Sequence, residues 1–117
     1  MILKKQPAIS KKPDQQLIDA IVQQIVTVVA PRRIILFGSA AQDSMGPHSD
    51  LDLLVIMPNG IHRRQTAQKI YKKLNGLGVA KDIIVVTEND VQEYGWNPSL
   101  IIYPALQNGK ELYRDIK

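Results

Sequence analysis

Two aspartates, Asp50 and Asp52, lie two positions apart at the head of an apolar run that continues through Leu53-Leu54-Val55. Successive side chains of a β-strand point to opposite faces, so residues i and i+2 share a face. The two carboxylates are therefore expected side by side, about 5–7 Å apart. Like charges at a mostly apolar position are costly unless a positive charge lies between them. Hard oxygen ligands suit Mg²⁺, so this pair predicts a magnesium site.

A glycine-serine pair, Gly38-Ser39, follows an earlier apolar run, and ten residues separate it from Asp50. Glycine permits a tight turn and a close backbone approach. The first amides of a helix are unpaired donors with partial positive charge, so a helix that begins here is suited to bind phosphate. The Ser39 hydroxyl adds a further polar group. Together with the carboxylate pair, this turn predicts a site for a metal-bound triphosphate.

A third acid, Asp82, opens the last long apolar run, at a strand start that matches the position of the first two. Two-metal phosphoryl transfer needs ligands for both ions and a group that deprotonates or orients the nucleophile. We therefore expect Asp82 to converge with Asp50 and Asp52, as a ligand of the second ion and as the base for the attacking hydroxyl. The alternative is a solvated acid at the start of a strand.

The elements that must position these residues alternate between helical and strand periodicity. Apolar residues at helical spacing from Leu17 to Val29 predict a first helix that begins near Asp14 and that Pro31 ends. The other elements are expected in the order strand 32–37, brief helix 39–44, strand 51–57, basic helix 61–77, strand 82–87, short helix after a Thr87/Asp90 capping box, helix 99–108 that Pro104 delays or kinks, and edge strand 111–113. This order predicts an α/β (α+β) domain, a small mixed sheet flanked by helices.

The composition bounds the class of protein. The chain has 117 residues, of which 44% are hydrophobic, and no cysteine. We expect a basic tail at 1–12 and one domain at 13–117, without disulfides or thiolate metal sites. No apolar run is long enough to span a bilayer, so we expect no membrane association. Lysines occupy the place of a signal-peptide apolar stretch, so the expected location is cytoplasmic.

The excess of positive charge is uneven. The net charge is +4, and the segment 61–81 contains basic residues and no acid: Arg63, Arg64, Lys69, Lys72, Lys73 and Lys81. A solvated or partner-docking face is the favoured interpretation, and contact with a triphosphate is the alternative. Interleaved aromatic residues are missing, so nucleic acid is not the expected acceptor. Tyr71 is expected in the core, and Trp96 is expected as a packed lid rather than a base-stacking platform.

The order Gly-Ser, ten residues, Asp-x-Asp and a later strand-leading Asp resembles the nucleotidyltransferase domain of the DNA polymerase β-like superfamily. The small size resembles the minimal nucleotidyltransferases (MNT), which are often paired with a HEPN-domain toxin. The likeness extends from about Asp14 to Tyr113. It includes the ending Gly109-Lys110-Glu111-Leu112-Tyr113, which is similar to the family's closing Gly-x-x-Leu-Tyr.

The resemblance implies a polymerase β-like nucleotidyltransferase fold and metal-dependent transfer of AMP from ATP to an acceptor hydroxyl. It implies that the catalytic acids, which ligate two Mg²⁺ ions, are Asp50, Asp52 and Asp82. It also implies that the nucleotide is bound by Gly38, Ser39 and Ser49. In the toxin–antitoxin subset the acceptor is a tyrosine of the HEPN partner, whose RNase is thereby silenced. We therefore expect the antitoxin of a HEPN/MNT pair, in a homo- or hetero-oligomer.

Two alternatives stay open, because many relatives carry Gly-Ser-Arg-Ala-Arg-Gly where this chain reads Gly38-Ser39-Ala40-Ala41-Gln42-Asp43. Both arginines are missing, and Asp43 brings a negative charge toward the expected phosphate site. A catalytically weak module could neutralise a partner protein by occlusion, with the lysine-rich helix as the docking face. A transferase for a small molecule such as an aminoglycoside ranks lower, because the chain has no second domain to enclose that substrate.

Overall fold

A computed structural model describes residues 14–43, 50–78 and 81–115, so the expected tail at 1–12 lies outside the described residues. The elements, in chain order, are α1 (Gln15–Val28), β1 (Arg33–Phe37), α2 (Gly38–Ala41), β2 (Leu51–Met57), α3 (Arg63–Leu74), β3 (Lys81–Thr87), α4 (Glu88–Tyr94), α5 (Ile102–Asn108) and β4 (Lys110–Arg114). None of the helices in these ranges is long and apolar enough to cross a membrane.

The four strands form one sheet in the order β3-β2-β1-β4. β1 pairs antiparallel with both β2 and β4, whereas β2 pairs parallel with β3. The parallel pair is joined through α3, as a crossover connection requires. The mixed α+β sheet predicted from the sequence is therefore confirmed, including β4 as an edge strand.

Helices cover both faces of this sheet. α1 and α3 pack on one face, where buried residues at helical spacing meet the strands: Ile18, Ile21, Ile25, Ile70 and Leu74. On the opposite face, α5 packs through Ile102 and Ala105. Because β2 has apolar neighbours on both sides, almost every residue of Leu51–Met57 is buried, and its run is continuously apolar. Asp52 shares its face with Leu54 and Ile56, toward α5.

Helix starts follow the local chemistry of the sequence. The Asp14 carboxylate accepts the Gln16 amide at 2.9 Å and caps α1. Thr87 and Asp90 form the predicted capping box of α4. Pro104 is the third residue of α5, whose helix begins at Ile102 rather than Ser99. The first amides of a helix have no partner within the helix, so a proline there removes no helical hydrogen bond.

Two aromatic residues lie elsewhere than predicted. The expectation that Trp96 is a packed lid is wrong, because its side chain is 69% exposed. Trp96 lies in the turn directly after Gly95, the residue that caps the end of α4, where its side chain faces solvent. Tyr71 was expected in the core and is instead 38% exposed. It lies one position after the buried Ile70, at the margin of the contact between α3 and β3.

Candidate active site

Asp52 lies in the middle of three neighbouring strands. Its backbone pairs with Phe37 on β1 and with Asp82 on β3. Adjacent strands are about 4.8 Å apart, and residues in parallel register share a face. Asp82 is therefore beside Asp52, on the face that points toward α5. Asp50 is two positions before Asp52 and is exposed, immediately ahead of β2.

The three aspartates, called the acidic trio below, interact electrostatically. Burial raises the pKa of Asp52, and the negative charges of Asp82 and then Asp50 raise it further. Asp52 is half-buried, whereas its two companions are exposed. A half-buried carboxylate between two others is a position where a cation would relieve both repulsion and desolvation. We predicted this convergence from the sequence, and the structure places Asp50 and Asp82 within electrostatic range of Asp52. Their catalytic role stays a prediction.

Gly38 closes the site on the β1 side. Its φ of +72° is left-handed, a region that side chains rarely adopt. A Cβ on Gly38 would overlap Oδ2 of Asp52. Glycine is therefore required for two reasons, the turn from β1 into α2 and the close contact with the carboxylate. This contact places the backbone of the Gly38-Ser39 turn directly beside the acidic trio.

The donor set suits a hard cation without forming a closed cage. Carboxylate oxygens are the ligands that Mg²⁺ prefers. Across 14–43, 50–78 and 81–115, no group of three or more acidic or histidine side chains is arranged to hold one metal ion by itself. Magnesium in nucleotide sites is usually bound through one or two carboxylates together with phosphate oxygens and water. The acidic trio fits that open type of site, in which the substrate completes the ligand set.

A cleft of about 500 Å³ lies beside the glycine-serine turn, between α2 and α5. Gly38, Ser39 and Gln42 line one side, and Pro104 and Asn108 line the other. Sequence reasoning placed the first two at the site and missed the α5 residues. No pattern in the sequence identifies them, because they are brought there by the packing of α5 on β1.

Gln42, which follows α2, makes a structural contact. Its Nε2 donates to the Asn108 carbonyl at 2.8 Å, which ties α2 to the end of α5. Asp43, the next residue, is paired with Lys110, whose Nζ is 3.3 Å from Oδ1 of Asp43. The negative charge that Asp43 brings after α2 is therefore compensated from β4.

The basic segment lies mostly away from the acidic trio. Arg63, at the start of α3, makes a two-pronged ion pair with Asp90, with both nitrogen–oxygen distances at 2.7 Å. α3 begins after the far end of β2, so Arg63 is at the opposite end of the sheet. A groove between α1 and α3 is lined by Val28 and three lysines, Lys69, Lys72 and Lys73. This lysine groove is on the face opposite to Asp52.

Tyr71 contacts the site, which the sequence did not predict. Its hydroxyl accepts the Ile83 amide at 2.8 Å and lies 3.4 Å from Oδ1 of Asp82. The helical spacing that marked Tyr71 as apolar did not reveal that its hydroxyl reaches β3. Ser49, the remaining expected nucleotide-binding residue, lies outside the described residues.

The chain is similar to known proteins in sequence and in structure. Residues 16–111 match the family model described as "Nucleotidyltransferase domain". A Sulfolobus solfataricus protein, provisionally named a nucleotidyltransferase, is similar in structure with a TM-score of 0.60. The two chains are 16% identical, and the similarity covers 87% of this chain and 81% of that one, so it shows a shared fold. None of the curated proteins compared matches the sequence significantly.

Proposed function

Because the chain belongs to the nucleotidyltransferase domain family, we propose that it transfers AMP from ATP to a hydroxyl group of a partner protein. One observation carries the proposal: Asp52 lies beside Asp82 in the strand register, within electrostatic range of Asp50, and against Gly38. Phosphoryl-type transfer asks a protein mainly for positioning and for compensation of charge. A carboxylate set beside a phosphate-binding turn is suited to both tasks.

In the proposed reaction, the acceptor oxygen attacks the α-phosphorus and forms a new phosphorus–oxygen bond. The bond between the α-phosphorus and the bridging oxygen breaks, and pyrophosphate leaves. Asp82 receives the proton of the acceptor hydroxyl, because it is exposed to an incoming group. The Gly38-Ser39 turn and the cleft beside it hold the nucleotide, with Ser49 as a further contact. Atoms and charge balance without an oxidant or reductant.

The acidic trio would hold Mg²⁺, and two ions fit the family's chemistry. Bound magnesium supplies positive charge at the triphosphate and at the attacking oxygen. The chain's own contribution is to place Asp52 on β2 beside Asp82 on β3, with Asp50 immediately ahead of β2. The raised pKa of Asp52 supports this assignment, since a bound cation would offset the burial of its carboxylate and the repulsion from Asp82 and Asp50.

For the acceptor, we propose a HEPN-domain toxin, with this chain as its antitoxin in a hetero-oligomer. The support is the similarity to minimal nucleotidyltransferases and the small size of the domain. In this proposal a tyrosine hydroxyl of the toxin accepts AMP. The exposed position of Asp82 favours a bulky acceptor over one that must be enclosed.

One observation favours a second function, neutralisation of a partner by binding alone. Position 42, an arginine in many relatives, is here a glutamine that bonds the Asn108 carbonyl rather than supplying a positive charge. A weaker hold on triphosphate would leave the docking surfaces as the functional part. The lysine groove, formed by Val28, Lys69, Lys72 and Lys73, would then carry the interaction with an acidic face of the partner.

The test is incubation of the protein with ATP labelled on the α-phosphate, Mg²⁺ and a purified HEPN-domain partner. Transfer predicts label on the partner, and its loss in Asp52→Ala and Asp82→Ala. Asp19→Asn is the matched control, because Asp19 is an exposed residue of α1 and its described hydrogen bond is with Gln15 alone. The control should label the partner as the wild type does.

Each outcome separates the candidate functions. A stable complex without label supports neutralisation by occlusion and contradicts transfer to protein. In a parallel incubation that contains an aminoglycoside, label on the aminoglycoside together with no label on the partner protein supports the small-molecule alternative. Label that persists in Asp52→Ala contradicts the assignment of the acidic trio, because the reaction would then run at another site.

A further inference from the structure

The hydroxyl of Tyr71 makes two contacts with consecutive residues of β3. The Ile83 amide donates to it at 2.8 Å, and its own oxygen is 3.4 Å from Oδ1 of Asp82. A phenol hydroxyl has one proton to donate. Because the Ile83 amide occupies it as an acceptor, its proton is directed toward a different partner, and the carboxylate of Asp82 is the acceptor within reach.

The location of β3 explains why a helix residue can do this. Among the strands of the described residues, β3 is an edge strand with β2 on one side only, so its outward-facing amides have no partner in that sheet. α3 packs against the sheet through Ile70 and Leu74. Tyr71 follows Ile70 on α3, and its hydroxyl contacts β3 at the edge of the strand that faces away from β2. The ring is thereby held at both ends, by α3 and by the Ile83 amide.

We propose that Tyr71 is a positioning residue that fixes the carboxylate of Asp82. The hydroxyl engages Oδ1 of Asp82, the residue that pairs with Asp52 in the register of β2 and β3. This inference rests on the proposed function, because it assigns Asp82 a task in metal binding and proton transfer. Residues that hydrogen-bond to a metal-ligating carboxylate commonly contribute about 10-fold or more to metal affinity or activity.

A purely structural role accounts for less of the geometry. Removal of the hydroxyl takes the acceptor from the amide of Ile83, which is only 5% exposed, so a structural role alone predicts a loss of stability. It does not predict a change in metal binding that depends on Asp82. The contact with Asp82 links the residue to the acidic trio, and loss of the hydroxyl should act on that site as well as on folding.

The experiment compares Tyr71→Phe with the wild type, first by titration with Mn²⁺ in the absence of nucleotide. The ring and its packing remain, and only the hydroxyl is lost. We expect Mn²⁺ affinity to fall by about 10-fold. Tyr113→Phe is the matched control, because Tyr113 lies on β4, the opposite edge strand. It should bind Mn²⁺ as the wild type does.

A double-mutant cycle separates positioning from a general effect on the fold. In the Asp82→Asn background, Tyr71→Phe should change Mn²⁺ affinity by less than about 2-fold, because the group it positions is gone. In the transfer assay, Tyr71→Phe should lower kcat by about 10-fold and leave KM for ATP within about 2-fold.

The outcomes distinguish this inference from the proposed function. If the wild type transfers no nucleotide but binds Mn²⁺, transfer fails and the titration alone decides the role of Tyr71. An equal loss of affinity in both backgrounds, or no loss in Tyr71→Phe, overturns the inference. A wild type that binds no Mn²⁺, either alone or with a non-cleavable ATP analogue that completes the ligand set, overturns it too, because Tyr71 would then position a carboxylate that binds no metal.

Discussion

The carboxylate of Asp52 occupies the space that a Cβ on Gly38 would need. The two residues lie 14 positions apart in the sequence, and the antiparallel pairing of Phe37 with Asp52 brings them into contact. The contact makes glycine part of the site rather than only part of a turn. It also couples the local geometry at the start of α2 to the placement of the acidic trio.

Gly38→Ala should therefore displace Asp52 and abolish nucleotide transfer. The left-handed φ adds strain of about 1–2 kcal/mol, and the overlap with Oδ2 adds to it. The matched control is Gly78→Ala, because Gly78 has the same φ of +72° and no atom within 4 Å of an added Cβ. Thermal unfolding should show a loss of stability for both variants and a larger loss for Gly38→Ala. Equal losses, with transfer retained in Gly38→Ala, would contradict the contact.

Asp52→Asn should stabilise the fold at neutral pH. The folded state raises the pKa of Asp52, so the native protein binds more protons than the unfolded chain between the two pKa values. Stability therefore falls as the pH rises through this range, and the penalty is fully present above the folded pKa. We expect a Tm about 1–3 °C higher for the variant at pH 7, and no difference below the ordinary aspartate pKa of about 3.9.

Addition of Mn²⁺ or Mg²⁺ should reverse the order of stability, so that the wild type becomes more stable than Asp52→Asn. A cation bound by the acidic trio stabilises the wild type in proportion to its occupancy, whereas Asp52→Asn has lost a charged ligand. In a thermal scan at pH 7 with millimolar metal, the wild type should gain more than the variant. Equal gains in both proteins would show that the metal binds elsewhere.

Asp90→Ala should destabilise the protein by about 1 kcal/mol at pH 7, since the variant loses the capping box of α4. Hydrogen bonding to Arg63 lowers the pKa of Asp90. Its contribution is therefore complete above the unfolded pKa of about 3.9 and is lost as the pH falls through the lower folded pKa. Denaturant unfolding at pH 7 and pH 3 measures this change. Glu93→Ala, on the exposed side of the same helix, should stay within about 0.5 kcal/mol of the wild type.

Lys110→Ala should weaken ATP binding by about 3- to 10-fold, because it leaves the Asp43 carboxylate uncompensated next to the glycine-serine turn. Calorimetric titration with ATP and Mg²⁺ gives the affinity. The double variant Asp43→Asn/Lys110→Ala distinguishes two explanations. Recovery of affinity supports charge compensation, whereas persistent loss would indicate that Lys110 itself contacts the nucleotide.

The sequence predicted the fold well because its signals are local. The Thr87/Asp90 capping box and the apolar runs of the strands define their elements without tertiary information. For α5 the sequence left two outcomes open at Pro104, a later start or a kink. The structure has the later start, at Ile102, which places the proline in the first turn of the helix.

The candidate site was predictable only in part. Asp50, Asp52, Asp82 and Gly38 could be singled out because carboxylates at strand starts and a glycine after a strand have chemical meaning on their own. Tyr71 could not, since its hydroxyl acts from a helix across the rim of the sheet. The exposure of Trp96 could not be predicted either, because an aromatic residue in a turn can pack on the fold or face solvent, and only the tertiary structure decides between them.

Seven consecutive residue pairs join β2 to β3 without a bulge. A slip of one residue along β3 would carry Asp82 to the face on which α1 and α3 pack, where Ile83 and Val85 are buried. Moving a carboxylate toward that apolar core would be costly, so the core penalises a pairing that separates the carboxylates. The apolar packing that stabilises the sheet therefore also favours the alignment that assembles the acids.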